Sequence, residues 1–190
     1  MPVSRDAVLD GAVLRDADLS EIAHDLSSAH LSSAHLSPAH LSPARLGQIV
    51  AAVAARPGRW SGLVRFDAGR RWYQRLELAE DHEVWLLSWL PGQDTGFHDH
   101  GRAAGAFAVA QGQVRERTVV TGSSQVRHRT IAAGRVRSFG SQYVHDVVNA
   151  FAEPAVTVHA YSPPLTAMRR YELTGNGLVP TGTELAEQDW

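Results

Sequence analysis

The stretch Ser88–Gly101, SWLPGQDTGFHDHG, decides the fold of this chain. Its two histidines, His98 and His100, are separated by one residue, and alternate residues of a β-strand point to the same face. On a strand that faces the protein interior, both imidazoles could reach one metal ion while Asp99 points the other way. The chain has ten histidines, so two of them at this spacing do not by themselves define a metal site.

Spacings around this stretch resemble those of the cupin barrels. A Pro-Gly pair separated from His98 by five residues, followed by Gly112 in the turn AQGQV, resembles the first cupin motif. Downstream, HDVVN places Asn149 four residues after His145 and resembles the second. Together the motifs would supply three histidines, His98, His100 and His145, a set that leaves open positions on a metal.

The glutamate that most cupins add to this set is absent. Ala104 and Gly105 stand where it is expected. The chain also contains no cysteine, so disulfides and thiolate ligands are excluded, and histidine, carboxylate or water must hold any metal. A neutral three-histidine site is a minority pattern among cupins and therefore narrows the choice of family.

A row of polar residues marks the C-terminal strand AVTVHAYSPP. Thr157, His159 and Tyr161 alternate with apolar residues, which places a hydroxyl, an imidazole and a phenol on one face. Three such groups inside a strand can satisfy one another by hydrogen bonds. The alternative is a polar ladder on a solvated outer face.

These motifs in this order resemble the thiol dioxygenases, specifically the bacterial branch of the cysteine dioxygenase family. The resemblance covers residues 72 to about 165 and includes WYQRL, SWLPGQDTGFHDHG, AQGQVRER, HDVVN and EPAVTVHAYSPPL. It implies one Fe(II) per chain, held by His98, His100 and His145. In that family the thiolate and amine of L-cysteine bind the iron, and both atoms of O2 are added to sulfur to give cysteine sulfinate.

The resemblance also assigns roles around the metal. Arg75 would pair with the substrate carboxylate, beside Tyr73, because a guanidinium matches a carboxylate in two-point contact. The segment between Tyr73 and Trp89 is three residues shorter than in the family. A slip of one residue would put Gln74 at that position, and an ordinary surface arginine is a further alternative.

The polar row matches the Ser-His-Tyr set of the family, with a hydroxyl kept at Thr157. Tyr161 would lie nearest the iron, His159 would orient it, and Thr157 would fix the histidine tautomer. Mammalian members cross-link the tyrosine to a cysteine, at the position matched here by Gly105. The resemblance further suggests a cis Ser162–Pro163 bond.

Competing interpretations remain for the function. A dioxygenase of 3-mercaptopropionate or another small thiol is the first, since relatives with that substrate carry glutamine in place of the arginine. Another metal-dependent cupin enzyme would usually need the missing glutamate. A non-catalytic ligand-binding cupin is the alternative from a different class.

Composition limits the partners. The net charge of −2 gives no electrostatic case for nucleic acid or an anionic membrane. No apolar run approaches the ~20 residues of a membrane span, and the N-terminus does not resemble a signal peptide. We therefore expect a cytoplasmic monomer whose partners are a small-molecule thiol and O2.

The chain is expected to form one domain with an N-terminal arm. Residues 1–58 are predicted to be helical, with two or three helices in 16–57 and a low-complexity pentapeptide repeat at 26–45. Ser42 and Pro43 mark the start of the last of these helices. Short strands with Gly and Pro between them predict a mainly β cupin-type barrel (a jelly roll) at 59–175, and 176–190 is expected to be a tail.

Overall fold

The computed structural model describes residues 40–185. The helices predicted before residue 40, most of the pentapeptide repeat and the last five residues of the predicted tail lie outside the described residues.

A single α-helix precedes the sheets in the described part of the chain. Helix α1, Pro43–Ala54, begins where the sequence predicts: Ser42 is its N-cap, accepting a hydrogen bond from the Arg45 backbone N–H at 3.2 Å, and Pro43 occupies the first turn. Two single-turn 3-10 helices, Pro57–Arg59 and Ser61–Leu63, follow. Within residues 40–185, none of the helices has the length and apolar character needed to cross a membrane.

Eleven strands make up most of the remaining described chain. They are β1 Trp72–Leu78, β2 Glu83–Trp89, β3 Phe97–Asp99, β4 Ala104–Gln111, β5 Gln113–Val119, β6 Val126–Ala132, β7 Val136–Phe139, β8 Asp146–Val148, β9 Ala155–Ser162, β10 Ala167–Thr174 and β11 Gly177–Leu185.

The strands form one large sheet and two small ones. The large sheet has the order β1-β2-β9-β4-β7, and the small sheets have the orders β6-β5-β8 and β11-β10-β3. The small sheets meet at one antiparallel bridge between His98 and His145, whose backbone N–H groups donate to each other's carbonyl at 2.9 and 3.0 Å. The backbone pairing that joins the two small sheets is thus made by two of the predicted metal ligands.

The prediction of a mainly β fold is confirmed, whereas a closed barrel is not observed. The strand pairing ends at β1 and β7 of the large sheet and at β6 and β11 of the small sheets, so the ladder is not continuous. The turn between β4 and β5 forms as predicted, with Gly112 at φ 71°. A Cβ there would meet the Pro154 carbonyl oxygen at 2.6 Å, which explains why glycine is needed.

The C-terminal boundary needs a correction. Residues 176–190 are predicted to be a tail, yet Gly177–Leu185 form β11 and pair with β10 along its whole length. The strand contains Pro180 and Gly182 and is mostly exposed, so it lacks the apolar alternation by which strands are recognised. The register of the β10–β11 pair shifts between Arg170 and Tyr171 of β10, which accommodates this irregular segment of β11.

The central strand β9 divides the interior into two layers. Every residue of β9 is buried. Its Val156, Val158 and Ala160 pack with helix α1 on one face of the large sheet. The alternate residues of β9 point to the other face, toward the small sheets, and this layer contains the candidate site.

Candidate metal centre and cavity

The three predicted ligand histidines converge. His98 lies on β3, His100 follows its last residue, and His145 immediately precedes β8. One ligand atom from each lies within 4.8 Å of the others, and all three residues are buried. The backbone bridge between His98 and His145 fixes the two imidazoles that come from distant parts of the chain.

The hydrogen bonds of His98 and His145 both involve Nδ1 and leave Nε2 free. His98 Nδ1 lies 2.9 Å from the Gly96 carbonyl oxygen, and His145 Nδ1 lies 3.1 Å from Glu116 Oε1. Each can donate its Nδ1–H there and keep Nε2 for a metal. His100 Nε2 is buried and has no hydrogen-bond partner among the described residues, an arrangement that a metal ion would satisfy.

The protonation of the cluster also suits a metal. Burial, reinforced by the neighbouring imidazoles, holds the pKa of His98 and of His100 well below the ordinary value. Both are therefore neutral near pH 7, which is the form that binds a metal. Three imidazoles without carboxylate or thiolate suit a divalent transition metal such as iron or zinc.

The polar row on β9 is buried and connected. Thr157 Oγ1 lies 2.8 Å from His159 Nε2, and His159 Nδ1 lies 3.2 Å from the Tyr161 hydroxyl oxygen. Trp89, which sequence reasoning gave no role, donates its indole N–H to Thr157 Oγ1 at 2.9 Å. Burial lowers the pKa of His159 and raises that of Tyr161, so both are neutral.

A buried carboxylate stands behind the metal centre. Glu116 of β5 is 2% exposed and contacts His145 and Arg137, with Arg137 Nε donating to Oε2 at 2.8 Å. Burial by itself would raise the pKa of Glu116, but the hydrogen bonds from His145 and Arg137 bring it below the ordinary value. Glu116 was not predicted as a site residue. Its signal in the sequence is an acidic residue at an inward position of β5, two residues after the buried Val114.

A small cavity opens onto the metal centre and the polar row. Its volume is about 50 Å³, enough for roughly four water molecules at 10–15 Å³ each, which suits a small substrate. Its lining includes five of the predicted site residues. These are Tyr73, His98, His145, His159 and Tyr161, joined by Arg71, Trp85, Leu87, Thr95, Val147, Leu165, Met168 and Arg170.

The structure does not bring Arg75 to this cavity. Its side chain is 47% exposed, with the guanidinium 5.3 Å from the centre of the Trp85 ring and 3.6 Å from the Glu83 carboxylate. Gln74 is exposed on the opposite face of β1. The arginines that line the cavity are Arg71 and Arg170, neither of which was predicted.

The two cavity arginines differ in their partners. Arg170 donates to the Thr95 carbonyl oxygen at 2.8 Å and pairs with the Glu184 carboxylate at 2.6 Å. Arg71 donates to the Asp94 carbonyl oxygen at 2.9 Å and lies over Trp89, while its Nε is buried without a partner among the described residues. Trp85 Nε1 is a second buried donor of this kind. The cavity therefore offers unused donors to an anion.

Arg71, immediately before β1, forms one alternating row with Tyr73 and Arg75. Period two therefore places Arg71 on the same face as Arg75 but does not show which of the two reaches the cavity.

The acidic neighbours of the ligand histidines point away from the metal centre, as the sequence predicts for Asp99. Asp99 accepts hydrogen bonds from the Tyr171 hydroxyl at 2.6 Å and the Gly101 N–H at 2.9 Å, whereas Asp146 pairs with Arg117. The Ser162–Pro163 bond is cis.

Comparison with known proteins identifies a family along most of the described chain. The model of the family "Cysteine dioxygenase type I" matches residues 39–174. Cysteine dioxygenase type 1 from Homo sapiens is 24% identical over 135 residues, which cover 65% of this chain and 66% of that protein. The enzyme from Danio rerio is 26% identical over 138 residues, covering 65% and 67%. The chain thus spans about two thirds of the length of these relatives.

The chain is also similar to solved protein structures, at low sequence identity. A protein from Klebsiella pneumoniae with a double-stranded β-helix domain is 23% identical to this chain, with a TM-score of 0.48. The match covers 67% of this chain and 94% of that one.

Proposed function

Because the chain belongs to the cysteine dioxygenase type I family, we propose that it is an iron-dependent dioxygenase of small thiols that carry a carboxylate, with L-cysteine as the first candidate. The reaction would add both atoms of O2 to sulfur, R–SH + O2 → R–SO2H, so no other reductant is needed. The observation that carries the proposal is one cavity lined by ligand histidines, Tyr161 and Arg71, whose Nε is buried without a partner among the described residues.

His98, His100 and His145 would hold the Fe(II). Bound there, iron would supply the Lewis acidity that lowers the pKa of a thiol and the redox chemistry that joins O2 to sulfur. The protein supplies a buried set of imidazoles and walls of apolar side chains such as Leu87, Val147 and Met168 that limit access of water.

The polar row would present a proton to the cavity. The Trp89 indole can only donate, so Thr157 Oγ1 accepts from it and directs its own proton to His159 Nε2. Neutral His159 then carries its proton on Nδ1 and donates it to the Tyr161 oxygen. The Tyr161 hydroxyl proton is left free for the substrate or for oxygen. Its raised pKa keeps the phenol protonated, as a hydrogen-bond donor requires.

The cavity favours Arg71 as the anchor of the substrate carboxylate, whereas the family motif assigns that role to Arg75. Arg71 combines a cavity position with a buried, unused Nε, and Trp85 Nε1 offers a second donor. Arg75 lies outside the cavity lining and already faces Glu83. A charged hydrogen bond of this kind is worth about 1.5–3 kcal/mol, or roughly 10- to 150-fold in affinity.

The charges of the cavity bear on the second candidate, 3-mercaptopropionate. No acidic residue stands among the described residues that line the cavity. The ammonium of cysteine therefore has no carboxylate partner there and would depend on binding the metal as an amine, as in the family. 3-Mercaptopropionate has no amine and does not need that interaction.

The test measures O2 uptake by protein loaded anaerobically with one Fe(II) per chain, with cysteine, 3-mercaptopropionate and cysteamine as substrates. We expect uptake and a sulfinate product with the first or second thiol, and much less with cysteamine, which lacks the carboxylate. His98→Ala is the matched control for the metal. If the iron-loaded protein binds thiols without consuming O2, the chain is a ligand-binding protein instead.

A pair of variants separates the two candidate anchors. Arg71→Gln and Arg75→Gln are compared with the wild type on the preferred thiol. We expect kcat/KM of Arg71→Gln to fall by about 10- to 150-fold, chiefly through KM. A larger loss in Arg75→Gln would return the carboxylate to the residue indicated by the motif.

A further inference from the structure

Two of the ligand histidines have different partners behind them. His98 Nδ1 faces a backbone carbonyl, that of Gly96, at 2.9 Å. His145 Nδ1 faces a carboxylate, that of Glu116, at 3.1 Å. A carboxylate behind a ligand imidazole fixes its tautomer and increases its basicity toward the metal, which a neutral carbonyl does less strongly.

The Glu116 carboxylate is placed for this contact by its strand. Glu116 pairs with Val147 in the β5–β8 ladder, two residues after His145. Its side chain points into the protein interior, next to the imidazole of His145. Oε1 accepts from the Tyr143 hydroxyl at 3.2 Å in addition to its contact with His145. Arg137 donates from Nε to Oε2 at 2.8 Å and from Nη2 to the Tyr143 hydroxyl oxygen at 3.0 Å. Both carboxylate oxygens are therefore held in place.

The charge is buried, which makes a purely structural explanation incomplete. Glu116 is 2% exposed, and a buried ion pair with Arg137 adds little net stability because desolvation opposes its Coulomb energy. At the metal centre, in contrast, a negative charge near the ligands would help to stabilise a bound cation. Gly105 stands at the position where most cupins place a glutamate ligand, so His98, His100 and His145 bring no negative charge of their own.

We propose that Glu116 is a positioning residue of the metal centre, which presents His145 Nε2 to the ion and supplies through the imidazole the negative charge that a ligand glutamate supplies in other cupins. The inference rests on the proposed function in one respect, that a metal binds the three histidines. The role given to Glu116 is otherwise independent of the reaction. The carboxylate acts on metal affinity and on the Fe(III)/Fe(II) potential, without touching substrate.

Glu116→Gln tests the charge with little change of shape. The amide oxygen can still accept from His145 Nδ1, so the tautomer is kept while the negative charge is lost. We expect the Fe(II) dissociation constant, measured anaerobically by chelator competition, to rise about 10- to 100-fold. The Fe(III)/Fe(II) potential should become more positive, because the lost charge stabilised Fe(III) more than Fe(II).

Glu83→Gln is the matched control. Glu83 is also 2% exposed, but its carboxylate accepts from the Leu165 N–H at 2.9 Å and faces Arg75 instead of a ligand histidine. Its loss should leave the Fe(II) affinity and the potential unchanged. Equal effects of the two substitutions would overturn the proposal, since they would indicate a general effect of removing buried charge.

A measurement on the wild type is independent of how well the variants fold. In Zn(II)-loaded protein labelled with 15N-histidine, NMR should detect a proton on Nδ1 of His145, with a resonance downfield of the Nδ1–H of His98 because its acceptor is a carboxylate. A His145 without a proton on Nδ1, or one resonating upfield of His98, would overturn the proposal.

The outcomes distinguish this inference from the proposed function. Wild-type protein that binds neither Fe(II) nor Zn(II) contradicts the proposed function and the inference with it. Wild-type protein that binds iron as tightly as Glu116→Gln, at the same potential, contradicts the inference alone.

Discussion

At the scale of one residue, Gly105 is the position where the family resemblance leads us to expect a difference from mammalian members. It lies on β4 opposite Tyr161 of β9 and Phe139 of β7. A Cβ at this position would lie 2.6 Å from Cζ of Phe139, too close for a real contact, and 3.0 Å from Cδ1 of Tyr161, which is tighter than most contacts. The Phe139 ring, stacked on His100 with ring centres 5.2 Å apart, therefore occupies the space that a side chain at 105 would need.

The first prediction concerns Gly105→Cys, which introduces the residue that the family resemblance places at this position in mammalian members. We expect its free energy of unfolding to fall by about 1–3 kcal/mol, because the side chain overpacks against Phe139. Gly140→Cys is the matched control, since a Cβ there meets no atom within 4 Å. It should change stability by about 0.5 kcal/mol or less. Denaturant unfolding measures both, and equal stabilities would contradict the packing argument.

At the scale of the element, the large sheet separates the apolar layer that packs against helix α1 from the layer that contains the candidate site. Strands β2, β4 and β9 present alternate residues to helix α1 on one side and to the candidate site on the other. Trp85 and His159 are paired in the β2–β9 register and both line the cavity, whereas Leu86 and Val158, the adjacent pair, pack with the helix.

The second prediction follows from this separation. Leu46 of α1 is fully buried in the helix-side layer, so Leu46→Ala should lower the free energy of unfolding by about 2–5 kcal/mol through lost burial and a cavity. The Fe(II) dissociation constant of the folded variant should stay within about twofold of the wild type. The two quantities are measured by denaturant unfolding and by chelator competition. A parallel loss of metal affinity would mean that the sheet transmits the defect to the site.

Strand register explains what the sequence could and could not predict. His98, His100 and the row on β9 could be predicted because period two acts within one short segment, and His145 could be predicted because it belongs to a short local motif, HDVVN. Arg71 and Arg75 required the β1–β2 register, which the short connection after Leu78 determines. Tyr73 pairs with Leu87 and Arg75 with Trp85, followed by a register shift, and no motif contains that information. The contact between Glu116 and His145 depends on pairing between strands far apart in the chain, which no local pattern reveals.

At the scale of the whole molecule, the site lies where three sheets meet. The histidines come from the two small sheets, the polar row from the large sheet, and the bridge between His98 and His145 joins the small sheets. Folding therefore brings the three candidate ligand histidines together and buries their imidazoles at the same time. The stability of the metal-free protein and its affinity for metal should then depend on pH through the same groups.

The last prediction is the pH dependence of that stability. Burial lowers the pKa of His98, His100 and His159 in the folded protein, whereas the unfolded imidazoles titrate near the ordinary value of about 6.5. Below that pH the unfolded chain binds more protons than the folded one. The free energy of unfolding of the metal-free protein should therefore decline between pH 7.5 and 5.5, approaching about 1.4 kcal/mol per pH unit for each such histidine at the acid end.

Exposed His128 provides the control for this prediction, because His128→Asn should leave the decline unchanged. Denaturant unfolding at a series of pH values measures the effect. Saturating Zn(II) should add more stability at pH 7.5 than at pH 5.5, since protons compete with the metal for the same nitrogens. A free energy of unfolding that is constant over this range would mean that these histidines titrate in the folded protein as they do in the unfolded chain. That result would contradict the lowered pKa values on which the neutral form of the buried ligands His98 and His100 depends.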